Sequence, residues 1–404
     1  MAQDGFRVLQ GKRVGLITNP SGVNRNLEST LSVLRNAPGV KLAALFGPEH
    51  GIYGDVPAGD KVASRTDSRT GLPVHSLYGA TRKPTPKMLT GLDALVYDLQ
   101  DTGCRSYTYI STMGVAMAAC GQAGVEFVVL DRPNPLGGAR VEGPLVESKF
   151  RSFVSRWDVP YVYGLTCGEL AQVILGEHWI TNQCKLTVVP MKGWTRNMLW
   201  QDTGLPWVPT SPHIPHGESP LFQVATGMLG EIGGVSTGIG YTLPFQCIAA
   251  PGVDPQELAA ALNGWNLPGV KFHAITYKPF YFTFKDRVIG GAQLYFTEPS
   301  HASLTAINFY ALETFKKVTG RDLFAEAAGG KKRLDPPPKG ALGLRAAWPR
   351  RMDAKNAFDM FDKVNGTDAT RKALQAGTPA AQIVASWKAD EEAFRARRQK
   401  YLLY

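Results

Sequence analysis

The constraint that most limits this chain is the order in which short apolar runs alternate with stretches of helical spacing. Arg13-Val14-Gly15-Leu16-Ile17-Thr18-Asn19 reads as a buried strand ending in a turn. Residues near 26–36 read as a helix, with Asn26 as its cap and Leu27, Leu31 and Leu34 on one face. Val40 to Phe46 is a second strand and Ala94 to Leu99 a third. Met113 to Gly124 is a helix closed by its glycine, and Glu126 to Asp131 is a fourth strand. Repetition of strand, helix and strand predicts an α/β fold: a mainly parallel sheet with helices on both faces.

Beyond about residue 165 the pattern changes. A helix over Thr166 to Leu175 opens with Thr166 and Glu169 at capping-box spacing. Lys185 to Pro190 is a short strand, 193–220 is loop-rich, and Gly227 to Gly240 is dense in glycine. Phe272 to Phe284 alternates aromatic and polar residues like a strand, and a helix follows near 302–319. Pro336-Pro337-Pro338 marks a linker or exposed loop over 330–340, and the remainder is helical up to Tyr401-Leu402-Leu403-Tyr404.

The chemistry-bearing residues fall just after the strands of the first half. Asn19 follows the first, Glu49 and His50 the second, Asp98, Gln100 and Asp101 the third, and Asp131 the fourth. In open α/β sheets, ligands bind outside the carboxyl ends of the strands, so one shared site is expected there. Phe46-Gly47-Pro48-Glu49-His50-Gly51 carries a carboxylate beside a rigid proline and between glycines that let a ligand approach. Glycoside hydrolysis needs a protonated carboxyl near the leaving oxygen, a role Glu49 fits; a turn bearing a surface glutamate is the plainer alternative.

Asp98-Leu99-Gln100-Asp101-Thr102-Gly103-Cys104-Arg105-Ser106-Tyr107-Thr108-Tyr109 offers two acids, an arginine suited to a carboxylate, and two phenols. Its plainer alternative is an internal Asp101–Arg105 ion pair. Asp131-Arg132-Pro133-Asn134-Pro135 and Glu142-Gly143-Pro144 make a rigid loop. Tyr163-Gly164-Leu165-Thr166 leads to Glu169, which is either a capping residue or a second catalytic carboxyl. Trp207 to Pro215, with Ser211 and His213, and Leu229-Gly230-Glu231 complete the candidates; aromatic and hydroxyl groups in rigid loops suit sugar stacking.

Composition excludes several classes. No run of about 18 apolar residues appears, so no stable membrane insertion is expected. The net charge of +10 favours anionic partners or simply solubility, but no basic run is interleaved with aromatics, so nucleic acid is not expected as a partner. The five cysteines lack metal-ligand spacing; they read as buried thiols, with one or two bridges as the alternative. No G-x-G-x-x-G follows the first strand and no G-x-x-x-x-G-K-[ST] occurs, which argues against a nucleotide cofactor. No cofactor or metal is expected.

Taken in order, Ile17-Thr18-Asn19-Pro20-Ser21-Gly22, the Glu49 motif, Asp98 to Gly103 with Arg105, Tyr107 and Tyr109, then Asp131 to Pro135 and Glu142-Gly143-Pro144, resemble the NamZ-type exo-β-N-acetylmuramidase family. The resemblance runs to the closing Tyr401-Leu402-Leu403-Tyr404. It implies a Rossmann-like domain over residues 1–162, a smaller α+β domain over 163–404, and a cleft between them. It implies exo-acting release of N-acetylmuramic acid from peptidoglycan-derived saccharides, in the periplasm or outside the cell. Glu49 is then the general acid and Glu169 the candidate second carboxylate. Asn19, His50, Asp98, Gln100, Asp101, Arg105, Tyr107, Asp131, Glu142, Tyr163, Ser211 and Glu231 are the expected substrate contacts. Tyr163, Thr237 and Ile239 depart from the family pattern, which expects His, Glu and Arg there. That departure bears on which sugar substituent is recognised.

Overall fold

The computed structural model describes residues 1–329 and 358–404; the expected Pro336-Pro337-Pro338 loop lies outside them. Seven strands form the first sheet: β1 (Arg13–Thr18), β2 (Lys41–Gly47), β3 (Arg65–Thr66), β4 (Pro73–Ser76), β5 (Ala94–Asp98), β6 (Glu126–Leu130) and β7 (Leu186–Val189). Their spatial order is β3-β4-β2-β1-β5-β6-β7, parallel throughout except where β3 runs against β4. β1, β2, β5 and β6 are almost wholly buried, because their apolar residues face both sides and helices cover both faces.

Early helices are α1 (Thr30–Arg35), α2 (Pro86–Leu89), α3 (Tyr109–Ala123) and α4 (Cys167–Gly176). α1 starts later than expected. Ser29, not Asn26, caps it, accepting from the Ser32 N–H at 3.1 Å, while Leu27 sits in a left-handed turn, exposed to solvent. α3 starts four residues earlier than the spacing suggested and ends, as expected, at Gly124 in the left-handed conformation. All five cysteines are buried free thiols, so the bridge alternative does not arise.

β7 extends the first sheet, so that sheet draws on residues beyond the expected division at 162/163. A second core then forms. Helices α5 (Ser219–Ile232), α6 (Pro255–Asn263) and α7 (Leu304–Thr319) pack with an antiparallel sheet ordered β8-β10-β9, of β8 (Cys247–Ala250), β9 (Val270–Tyr277) and β10 (Ile289–Phe296). The aromatic alternation stops being a strand at Tyr277; residues 278–288 form a loop. The last helix, Lys388–Arg398, returns the chain to the first domain. There Arg398 donates to the Tyr163 carbonyl at 2.9 Å, and the Tyr404 phenol donates to Asp131 at 2.8 Å.

The buried face of α3 meets Trp157, whose indole N–H donates to the Ile110 carbonyl at 2.9 Å. A Cβ at Gly114 would lie 2.0 Å from that ring, which is itself stacked on Trp179. Overpacking at such a site costs about 1–3 kcal/mol. Gly114→Ala is therefore expected to lower the unfolding free energy by that amount, read as a lower urea midpoint at unchanged slope. An unchanged midpoint would show that Trp157 can move.

Candidate active site

Glu49 follows β2 and is only 9% exposed, so its carboxylate needs donors. It has two: the Gly59 N–H at 2.9 Å on Oε1 and the Thr108 hydroxyl at 2.6 Å on Oε2. Tyr78 lies against the same carboxylate. Burial, and after it the Glu49 charge, holds the Tyr78 phenol above its ordinary pKa. His50 takes a left-handed backbone conformation (φ 70°) beside Gly51 (φ 77°), an uncommon state for a residue with a side chain. Its Nδ1 is 2.8 Å from the Val56 carbonyl, which can only accept, so the proton belongs on Nδ1.

The neighbouring strand ends are laced into this site. Asn19 donates to the Tyr109 phenol oxygen at 2.9 Å and to the Thr210 carbonyl at 2.9 Å. Tyr109 donates to that same carbonyl at 2.7 Å. Tyr107 packs edge-on against Tyr109 with centroids 4.7 Å apart, and its phenol neighbours Ser211 and Thr210. His213, on the same loop as Ser211, lies 3.0 Å from the Tyr281 hydroxyl of the second domain. Burial, then the nearby His50, pushes His213 below the ordinary imidazole pKa. Glu49, His50, Asn19, Tyr107 and Ser211 therefore gather as expected. Tyr78, Thr108, Tyr109 and Tyr281 join them. Thr108 and Tyr109 stood in the motif already singled out; Tyr78 and Tyr281 carried no local signal.

Other expected contacts are engaged elsewhere. Glu169 is fully buried and caps α4: Oε2 accepts from the Thr166 N–H at 3.0 Å, while Oε1 accepts from Arg196 at 2.7 Å and the Leu403 N–H at 2.8 Å. Wholly enclosed and paired with Arg196, it takes the capping alternative, not that of a second catalytic carboxyl. Arg105 pairs with no carboxylate. Its guanidinium donates to the carbonyls of Pro144, Val159 and Val364 and to Ser155, which corrects both the substrate-clamp and the Asp101 ion-pair readings. Burial draws it down to about 10.

Glu142 is likewise a tie between domains, binding Arg140 at 2.5 Å and accepting the Thr305 N–H at the start of α7 at 2.8 Å. Asp131 accepts from Thr166, Gly168 and Tyr404, holding α4 and the chain end. Asp98 is bound by Arg132 at 2.6 Å and by Thr30. Glu231 lies half-buried in the last turn of α5. Tyr163 is buried, donating to Asp101 at 2.5 Å, so its departure from the family pattern falls behind the site.

A small cavity does sit where topology predicts a crevice, between the ends of β1 and β5, lined by Ser21, Gln100, Arg132, Trp200 and Val208. Glu49 does not line it. Thr210 separates the two places, its hydroxyl donating to the Gln100 carbonyl at 2.7 Å and its own carbonyl accepting from Tyr109. The donors around the Glu49 carboxylate and the left-handed backbone of His50 beside it make the Glu49 side the stronger chemical candidate. One carboxylate missed by motif reading lies there: Asp60, next to the Gly59 that holds Glu49, with Oδ1 buried and unmatched.

Asp101 is pushed up to about 6, chiefly by burial, against hydrogen bonds from Tyr163 and Gly103 that pull it down. A carboxyl whose folded pKa is raised adds stability that is fully present below its unfolded value near 3.8 and is lost as pH rises through about 6. Asp101→Asn should therefore gain on the wild type between pH 4 and pH 7.5, by on the order of 3 kcal/mol at most. Denaturant midpoints of both proteins across that range test this; a constant difference would mean that Asp101 does not titrate there.

Comparison with known proteins agrees with this architecture. Models of the N- and C-terminal domains of the exo-β-N-acetylmuramidase NamZ match residues 14–218 and 223–404. The chain is 40% identical over 401 residues to a peptidoglycan β-N-acetylmuramidase NamZ of Bacillus subtilis, covering 99% of this chain and 89% of that one. Two crystal structures of DUF1343 family proteins from Bacteroides fragilis superpose along the whole chain. One has a TM-score of 0.88 at 45% identity and the other 0.69 at 28%, each covered to 97%. The chain belongs to the NamZ exo-β-N-acetylmuramidase family.

Proposed function

We propose that this protein is an exo-acting glycosidase that removes N-acetylmuramic acid from the non-reducing ends of peptidoglycan fragments, with Glu49 as general acid. The observation that carries the assignment is the Glu49 carboxylate itself: almost buried, held at both oxygens, and next to a strained His50 at the sheet edge where the other strand ends converge. In the reaction, the Glu49 proton passes to the glycosidic oxygen as the bond from that oxygen to the anomeric carbon breaks. Water adds to the anomeric carbon and gives up a proton to a base, leaving free N-acetylmuramic acid and a shortened glycan.

The surroundings suit that role. A hydroxyl can donate to a carboxylate or accept from a carboxylic acid, so the Thr108 contact survives both states of Glu49. Gly59 holds the other oxygen, so the carboxyl is fixed in orientation. Asp60 is our candidate for the second carboxylate, in place of Glu169. A wall-derived substrate also fits action outside the cytoplasm, in turnover of the cell wall. Among the described residues, no helix is long and apolar enough to cross a membrane.

Glu49→Gln keeps the shape and an acceptor oxygen but has no proton to donate. Hydrolysis of a natural disaccharide ending in N-acetylmuramic acid should fall about a hundred- to ten-thousand-fold, in kcat. A chromogenic N-acetylmuramic acid glycoside, whose leaving group needs less protonation, should suffer less. Equal activity of wild type and variant on both substrates removes Glu49 from the mechanism. No turnover by either protein would favour a sugar-binding protein of the same fold.

A further inference from the structure

The loop after β9 is the most unusual exposed segment of the described residues. Phe282, Phe284 and Asp286 all take left-handed backbone conformations (φ 64°, 62° and 61°) within five residues. Bulky side chains seldom do so, and such outliers gather at ligand clamps. The loop is nevertheless firmly held. Phe280 and Tyr281 donate their N–H groups to the Gly240 carbonyl at 2.9 and 3.4 Å, and Asp286 donates to the Pro279 carbonyl at 2.8 Å. Gly240 itself (φ 98°) would place a Cβ 2.0 Å from the Tyr281 carbonyl, so the loop rests directly on glycine backbone.

What this clamp presents to solvent is aromatic. Phe280 is 53% exposed, an expensive placement for a phenylalanine with an ordered backbone. Its ring lies 5.6 Å from that of Tyr281 and 5.9 Å from that of Tyr241. Tyr281 in turn stacks on His213, with centroids 6.2 Å apart and planes within 17°. His213 feels the charge of His50, the residue after Glu49. A file of rings thus runs from His213, on the loop that carries Ser211, out to open solvent, and its outer members belong to the second domain.

We propose that Phe280, supported by Tyr281 and Tyr241, is a stacking platform for the saccharide rings on the leaving side of the cut. This deepens the glycosidase reading and rests on it. An exo-acting site holds one ring before the scissile bond, and the rest of the glycan extends outward across the protein surface. Pyranose rings have apolar C–H faces that pack on aromatic faces while their hydroxyls stay in water, as a half-exposed phenylalanine requires. A monosaccharide glycoside does not reach such a platform; a longer glycan does.

The test is the ratio of kcat/KM on a tri- or tetrasaccharide ending in N-acetylmuramic acid to that on the chromogenic monosaccharide. Phe280→Ala should lower this ratio about tenfold, through KM rather than kcat, and Phe280→Trp should restore it. An unchanged ratio, with wild type active on both substrates, overturns the platform and leaves the glycosidase reading standing. An equal loss on both substrates also overturns it, because the loop would then be supporting the site as a whole. Wild type inert on both overturns the glycosidase reading, and the platform with it.

Discussion

Carboxylates buried at one sheet edge have to be met by donors, and the architecture around the site follows from that requirement. Asp98, Asp101, Asp131 and Glu169 are all withdrawn from water close to the carboxyl ends of the parallel strands. An ionised group there is tolerated only with hydrogen bonds or an opposite charge. The donors come from far along the chain: Arg132 for Asp98, Tyr163 for Asp101, Tyr404 for Asp131, Arg196 and the Leu403 N–H for Glu169. Meeting those needs pins the chain end and the loops after β6 and β7 to the first domain.

Glu49, like Asp101 and Asp131, is held by neutral donors, whereas Asp98 and Glu169 are each paired with an arginine. The partners of Glu49 are one backbone N–H and one hydroxyl, with a phenol alongside. Among the described residues, no cation is paired with it. Arg105 reinforces the contrast, because the one fully buried guanidinium near the motifs is spent on carbonyls that join the two domains.

Several readings were available from local pattern because they depend on local physics. Apolar runs such as Ala94–Asp98 can be satisfied only by burial on both faces, which calls for a parallel sheet. Gly124 closes α3 because the left-handed turn there suits glycine. The start of α1 was misplaced because Asn24 organises its own turn, accepting from the N–H groups of Asn26 and Glu28, so the helix waits for Ser29. The aromatic alternation past Tyr277 looks like a strand in sequence, but the left-handed residues that end it cannot be read from side-chain type.

What the sequence by itself determined is the order of strands and hence the edge at which Asn19, Glu49, Asp98 and Asp131 emerge, together with the family the ordered motifs belong to. What only the tertiary structure decided is which partners each of the acids near that edge meets. Glu169 and Glu49 look alike as strings, each a glutamate among glycines and small residues near the end of an element. Glu169 is taken by Thr166, Arg196 and Leu403, partners up to 234 residues away, whereas Glu49 meets the Gly59 N–H and the Thr108 hydroxyl. The same holds for the Phe280 loop, whose ring file reaches the loop of Ser211 only because His213 and Tyr281 meet across the two domains. Availability is a property of what a side chain touches, and long-range contacts are absent from local pattern.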